Sequence, residues 1–228
     1  MLAIFKREFK SYFQNVIGWL FVAALLAVYG LYFYVYNLKN GYPYISYDLN
    51  GIGFIMMIAV PILTMRSLSD EKKTKTDQLM LTSPVSVGRI VAGKYFAMAA
   101  VYTIVIALFA LSPLVLSIYG KVALSEAYVA LFGYWLYGLS CIAVGLFISS
   151  ISESVIISAI LTFTALFLSY MMQSITGLIS SSGNLLTKVL NCFDLYTPFE
   201  NFVSGCFSVT SAAYYVTVIL LLCFLTTQ

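Results

Sequence analysis

Histidine is absent from this 228-residue chain, and charge is scarce: nine acids and twelve bases make up 9% of the residues. Without histidine the commonest metal ligand and the usual acid–base group near neutral pH are missing. No HExxH, GxSxG or GxxxxGKS/T run occurs, so a zinc protease, an elbow-type serine hydrolase and a nucleotide-hydrolysing phosphate loop are all excluded as readings. No metal site and no catalytic residue is expected. The net charge of +3 is too small to point to nucleic acid. What the chain has instead is apolar surface. Hydrophobic residues make up 61%, against about 45–50% in soluble domains, where charged residues reach about 25%. Both departures make lipid the solvent. No polar stretch is long enough for a second domain, so residues 1–228 read as one all-α transmembrane domain.

A membrane-crossing helix needs about 20 mainly apolar residues. Six runs qualify or nearly do: 16–36, 51–65, 95–119, 128–150, 155–172 and 212–228. The second is short, with Pro61 near its end. The third contains Pro113, a predicted kink. The sixth stops without a charged anchor, and continuation beyond Gln228 is expected. The first is too long, and too soon followed by others, for a cleaved signal peptide. None of the acids and bases falls inside these runs. Ionisable groups within a bilayer usually mark an ion path or proton relay, so this count argues against a secondary carrier.

Basic residues set the orientation. With the N-terminus inside, Lys6, Arg7, Lys10, Arg66, Lys72, Lys73, Lys75, Arg89 and Lys94 are cytoplasmic, and only Lys39, Lys121 and Lys188 are external. Both termini are then cytoplasmic. Before the first run, Leu2, Phe5, Phe9, Tyr12, Phe13 and Val16 recur at helical spacing, with Lys6, Arg7 and Lys10 off the stripe. Residues 1–15 therefore read as an amphipathic helix lying in the interface. It is either a lipid anchor or a lever that also touches a cytoplasmic partner.

The longest cytoplasmic feature is Arg66–Lys94. Ser67 with Asp70 fits a helix start. Glu71 with Lys75, and Lys73 with Asp77, are opposite charges four apart, each worth about 0.2–0.5 kcal/mol on an exposed helix. Pro84 stops the helix. This is a solvated loop or a docking knob for a soluble protein.

The run Asp70-Glu-Lys-Lys-Thr-Lys-Thr-Asp-Gln-Leu-Met-Leu-Thr-Ser-Pro-Val85 resembles the loop after the second span of ABC-2 type exporter permeases. Ile90-Val-Ala-Gly-Lys94, Gly145-Leu-Phe-Ile-Ser-Ser150 and Phe199-Glu-Asn-Phe-Val-Ser-Gly205 resemble further stretches of that family, in order along nearly the whole chain. The likeness is greatest to the small gliding-motility-type permeases. Two positions depart: Lys75 stands where the family often has Gly, and Gln78 where it often has Glu. The resemblance implies a permease subunit, non-catalytic itself, in a bacterial or archaeal plasma membrane. It further implies two copies of an ATPase subunit carrying ATP and Mg, and a second permease chain, identical or different. The 70–81 helix would couple to the ATPase through Asp70, Glu71, Lys72, Lys73, Thr76, Asp77 and Gln78, moving spans two and five. The interfacial helix, with Phe5, Lys6, Arg7, Phe9 and Lys10, would be a second contact. A membrane scaffold or enzyme without an ATPase remains the alternative, as does a carrier.

The Ser- and Gly-rich stretch 173–211 separates the last two runs. Residues 185–193 and 199–207 read as short helices dipping into the outer leaflet, or as a surface loop. In the family this region resembles a re-entrant outer gate, which implies roles for Asp194, Pro198, Phe199, Glu200 and Phe202. Cys192 and Cys206 fall outside the membrane, where a disulfide is permitted. Eighteen tyrosines are present. Tyr29, Tyr36, Tyr42, Tyr44 and Tyr47 form either an interfacial belt or an aromatic lining.

Overall fold

A computed structural model describes residues 2–75, 86–119, 122–179 and 194–228, with the side chains of 119 and 173–179 left aside. Among these residues there is helix and no strand. The helices are α1 (Leu2–Gln14), α2 (Val16–Phe33), α3 (Ile45–Thr64), α4 (Ser69–Lys73), α5 (Val87–Phe109), α6 (Ser112–Tyr119), α7 (Leu124–Ile151), α8 (Val155–Ile179), α9 (Thr197–Val203) and α10 (Val209–Thr227). A π-helical turn, Tyr34–Lys39, extends α2. Six segments are long and apolar enough to cross a bilayer: Val16–Lys39, Ile45–Lys73, Val87–Ile118, Leu124–Ile151, Val155–Met172 and Val209–Thr227.

Several boundaries move from those read in the sequence. The second span starts at Ile45 instead of residue 51 and takes in Asp48. The third starts at Val87 instead of residue 95 and takes in Lys94. A charge near a helix end masks the apolar pattern there, which is why both starts read late. The expectation that no ionisable residue lies within a span is therefore corrected. Asp48 is 0% exposed and Lys94 2% exposed. The third span is also broken, with α5 ending at Phe109 and α6 beginning at Ser112. Pro113 has no N–H for the next helical bond, and its ring would clash with the Phe109 carbonyl four residues back. The Ser112 hydroxyl takes up that carbonyl instead, at 2.7 Å.

α7 is the axis of the bundle. It touches α3, α5, α6, α8, α9 and α10, and 72% of its most apolar window is buried, against 11% for α10. Between lipid-exposed helices apolar burial provides little drive, so close packing and interhelical hydrogen bonds decide association. Both are present here. A Cβ on Gly145 would come within 2.4 Å of the Thr64 hydroxyl, and one on Gly138 within 2.3 Å of the Tyr102 ring. The buried Tyr102 hydroxyl donates to the Tyr134 carbonyl at 2.7 Å, and that of Tyr215 to the Leu195 carbonyl at 2.8 Å. The chain alternates between two ends: α1 and α4 lie at one, the turns before α3 and α9 at the other.

Candidate functional site

α1 is amphipathic as its pattern predicts. Phe5, Phe9 and Phe13 form a stack with centroid spacings of 5.8 and 5.0 Å, continued to Trp19 at 5.5 Å. The Trp19 indole donates to the Phe13 carbonyl at 2.9 Å, closing the end of α1. Lys6, Arg7 and Lys10 are exposed. Tyr12 reaches inward, donating to the Leu63 carbonyl at 3.4 Å. Burial, and then the nearby Glu8, push its phenol above the ordinary range, so it remains a neutral donor.

α4 is fixed on two sides. On one side it meets the end of α7. The Leu68 and Ser69 N–H groups both donate to the Ser149 hydroxyl oxygen at 3.1 Å, and the Ser69 hydroxyl donates to the Ser149 carbonyl at 3.0 Å. Lys72 donates to the Ser150 carbonyl. A helix start leaves its first N–H groups without intrahelical partners. Here a serine from another helix supplies the acceptor, and no side chain within the segment caps it. The start predicted at Ser67 with Asp70 is thus replaced by one at Ser69.

On the other side α4 meets α1 and α5 through Lys94. The Lys94 ammonium donates to Glu71 at 2.7 Å and to the Ser67 carbonyl at 2.8 Å, and lies 3.5 Å from Glu8. Arg7 lies 2.7 Å from Glu8 and 3.8 Å from Glu71. The exposed Arg7 contributes about 0–1 kcal/mol by such pairing. The buried Lys94 is different: without both Glu71 and Glu8 its charge would be stranded, at about 3–5 kcal/mol. Lys94 therefore holds the cluster. Beside it lies a cavity of about 460 Å³, lined by Arg7, Glu8, Tyr12, Arg66, Asp70 and Glu71 among others.

Of the residues predicted to couple, Asp70 and Lys73 are exposed, whereas Glu71 and Lys72 are half-buried and turned into these two contacts. Glu71 is engaged by Lys94 on another helix, where the spacing had suggested Lys75. Lys75 ends the described segment with φ +56°, a left-handed conformation that glycine adopts without cost. Thr76, Asp77 and Gln78, and so the Lys73–Asp77 pair, lie outside the described residues. Glu8, Lys94, Ser69 and Ser149 belong to the site but were not among the predicted coupling residues. A base eight residues into an apolar helix was the available signal for Lys94. Ser149 lay within the Gly145–Ser150 stretch that resembles the family, but that likeness gave it no role.

At the opposite end, Asp194 caps α9. One carboxyl oxygen accepts from the Tyr196 and Thr197 N–H groups at 2.9 and 3.0 Å, and the other from the Thr197 hydroxyl. Pro198 sits in the first turn, where its missing N–H costs nothing. Phe199 and Phe202 are fully buried. Phe199 stacks on Tyr137 at 5.8 Å and meets Tyr134 at 5.7 Å. The Phe202 side chain presses on Gly133, where a Cβ would stand 2.4 Å from the Phe202 Cβ and 2.5 Å from its ring. Tyr196 donates to Asn50 on α3 and crosses Tyr170 of α8 at 4.6 Å. Glu200 is half-buried on the same helix. Cys206 is exposed and free, while Cys192 and the predicted helix 185–193 lie outside the described residues. Among the described residues no cluster of metal-ligating groups occurs.

The family model described as ABC-2 family transporter protein matches residues 32–227. The chain belongs to the ABC-2 transporter family. No individual curated protein matches it. The match spans α3 to α10 and both ends of the bundle, leaving α1 and most of α2 outside. Membership makes this ABC-2 protein a multi-pass membrane transport component, of a kind that is generally non-catalytic, and implies an ABC transporter with an ATPase partner.

Proposed function

We propose that this chain is the permease subunit of an ATP-driven exporter. It forms the transmembrane pathway and takes its energy from a separate ATPase subunit docked at α4. Two ATPase copies carry the ATP and Mg, two permease chains pair to make the pathway, and this chain holds no cofactor. The observation that carries the reading is the two-sided attachment of α4, to α7 through Ser149 and to α1 and α5 through Lys94. A push on the exposed Asp70–Lys73 face then has two routes into the spans. Spans two and five are expected to move, since α4 continues span two and touches span five, and span four, α7, receives the push as well. α1 serves as the second contact. α9, with Asp194, Pro198, Phe199, Glu200 and Phe202, acts as the gate at the far end. The reading places both termini in the cytoplasm of a bacterial or archaeal cell, since α1 and the end of α10 lie at the α4 end.

Gentle purification of the tagged full chain tests this. An ATPase subunit is expected in the eluate, in amounts reduced at least tenfold by Asp70→Lys with Lys73→Glu at unchanged abundance of the permease. An eluate without ATPase, or one indifferent to these exposed substitutions, would overturn it.

A further inference from the structure

Among the described residues, the coupling reading leaves one buried carboxyl unused. Asp48 lies in the first turn of α3 and is 0% exposed; Asn37 lies in the π-helical turn that ends the first span and is 5% exposed. The Asn37 amide nitrogen donates to one carboxyl oxygen of Asp48. The other carboxyl oxygen and the Asn37 amide oxygen are both buried without any hydrogen-bond partner. Two acceptors that lack a donor, on two groups already joined by one hydrogen bond, have a simple chemical complement. A single proton on the free carboxyl oxygen makes it a donor, and the amide oxygen of the same residue pair is an acceptor for it. Acid and amide then join edge to edge by two hydrogen bonds, and no buried oxygen is left over.

Among the described residues no base supplies the alternative. The ionisable groups on the segments packed against α3 towards this end are Tyr29 and Tyr32 on α2, Tyr34, Tyr36 and Lys39 on the π-helical turn, Glu126 on α7, Tyr170 on α8, and Tyr196 and Glu200 on α9, with Asp194 just before it. Lys39 alone is a base; it is exposed and makes no ion pair with Asp48. The Tyr29 hydroxyl is engaged by Ser112. A metal ion would need about six oxygens, and this pair offers two.

We infer that Asp48 and Asn37 form a proton-binding site, in which a neutral Asp48 carboxyl fastens the π-helical turn of the first span to the start of the second. Buried acids within spans often mark functional sites, and π-helical turns in helices recur there too. The site is independent of the ATPase reading. Its contribution is present while the proton is bound and is lost as pH rises and the proton leaves, because a carboxylate oxygen and an amide oxygen then stay buried without a donor.

Infrared spectroscopy of the full chain in lipid nanodiscs tests it. At neutral pH the wild type should show the carbonyl band of a protonated carboxyl. Asp48→Asn should abolish that band and, being isosteric, leave the protein folded; Asn37→Leu should shift it. Alkaline titration should remove it, while amide exchange over residues 34–48 accelerates in the wild type relative to Asp48→Asn. Absence of the band at neutral pH, its survival in Asp48→Asn, its indifference to Asn37→Leu, or its loss on adding sodium or potassium at fixed pH would each overturn the assignment.

Discussion

Lys75 pays for the shape of the turn after α4. Its φ of +56° costs a side-chain-bearing residue about 1–2 kcal/mol relative to the right-handed region. Lys75→Gly should therefore raise the apparent melting temperature of the purified chain by a few degrees, and Lys75→Val should lower it; thermal unfolding in detergent measures both. The resemblance implied a glycine at this position, and the left-handed φ is a physical reason for one. Ser149 is the complementary case. Its hydroxyl accepts from two backbone N–H groups of another segment, a role like that of an N-cap, whose loss costs about 0.5–2 kcal/mol. Ser149→Ala should accelerate amide exchange at Leu68 and Ser69 several-fold with abundance unchanged, as deuterium uptake will show. The resemblance covered Ser149 without naming its partner, which is eighty residues away in sequence.

Among the elements, those with strong periodicity were readable and those defined by long-range contact were not. The amphipathic stripe of α1 and the six apolar runs follow directly from composition and spacing. The starts of α3 and α5 were misplaced because Asp48 and Lys94 interrupt the apolar runs, and what tolerates them, Asn37 for one and Glu71 with Glu8 for the other, lies on different segments. α9 shows the same limit. The resemblance singled out Asp194, Phe199 and Phe202, but neither the capping by Asp194 nor the bareness of Gly133, which lets Phe202 seat, was legible. A methyl group there would stand 2.4 Å from that side chain, and overpacking of this kind costs about 1–3 kcal/mol. Gly133→Ala should loosen α9 selectively: exchange at residues 199–203 quickens while that of α4 stays as in the wild type.

On the scale of the molecule, burial is strongly uneven. The α7 window is 72% buried, but those of α2 and α8 are 22% and that of α10 is 11%. The outer faces of these helices display Trp19, Ile156, Ile160, Leu220 and Phe224 to their surroundings, which lipid or a second permease chain must cover. Orientation is checkable on the same scale. In a cysteine-free background, Thr74→Cys should react with a membrane-impermeant maleimide in inverted vesicles only, and Tyr42→Cys in right-side-out vesicles only. The reverse pattern would invert the topology. α7 has one further consequence. Ser149, which holds α4, and Gly133, which seats α9, lie on one uninterrupted helix, sixteen residues or about 24 Å apart. An α-helix resists axial compression far better than a loop does, so the two ends of the molecule are joined by a strut. Displacement at Ser149 would arrive at the Phe202 seat nearly undiminished, and cargo would have to pass along the flank of that strut.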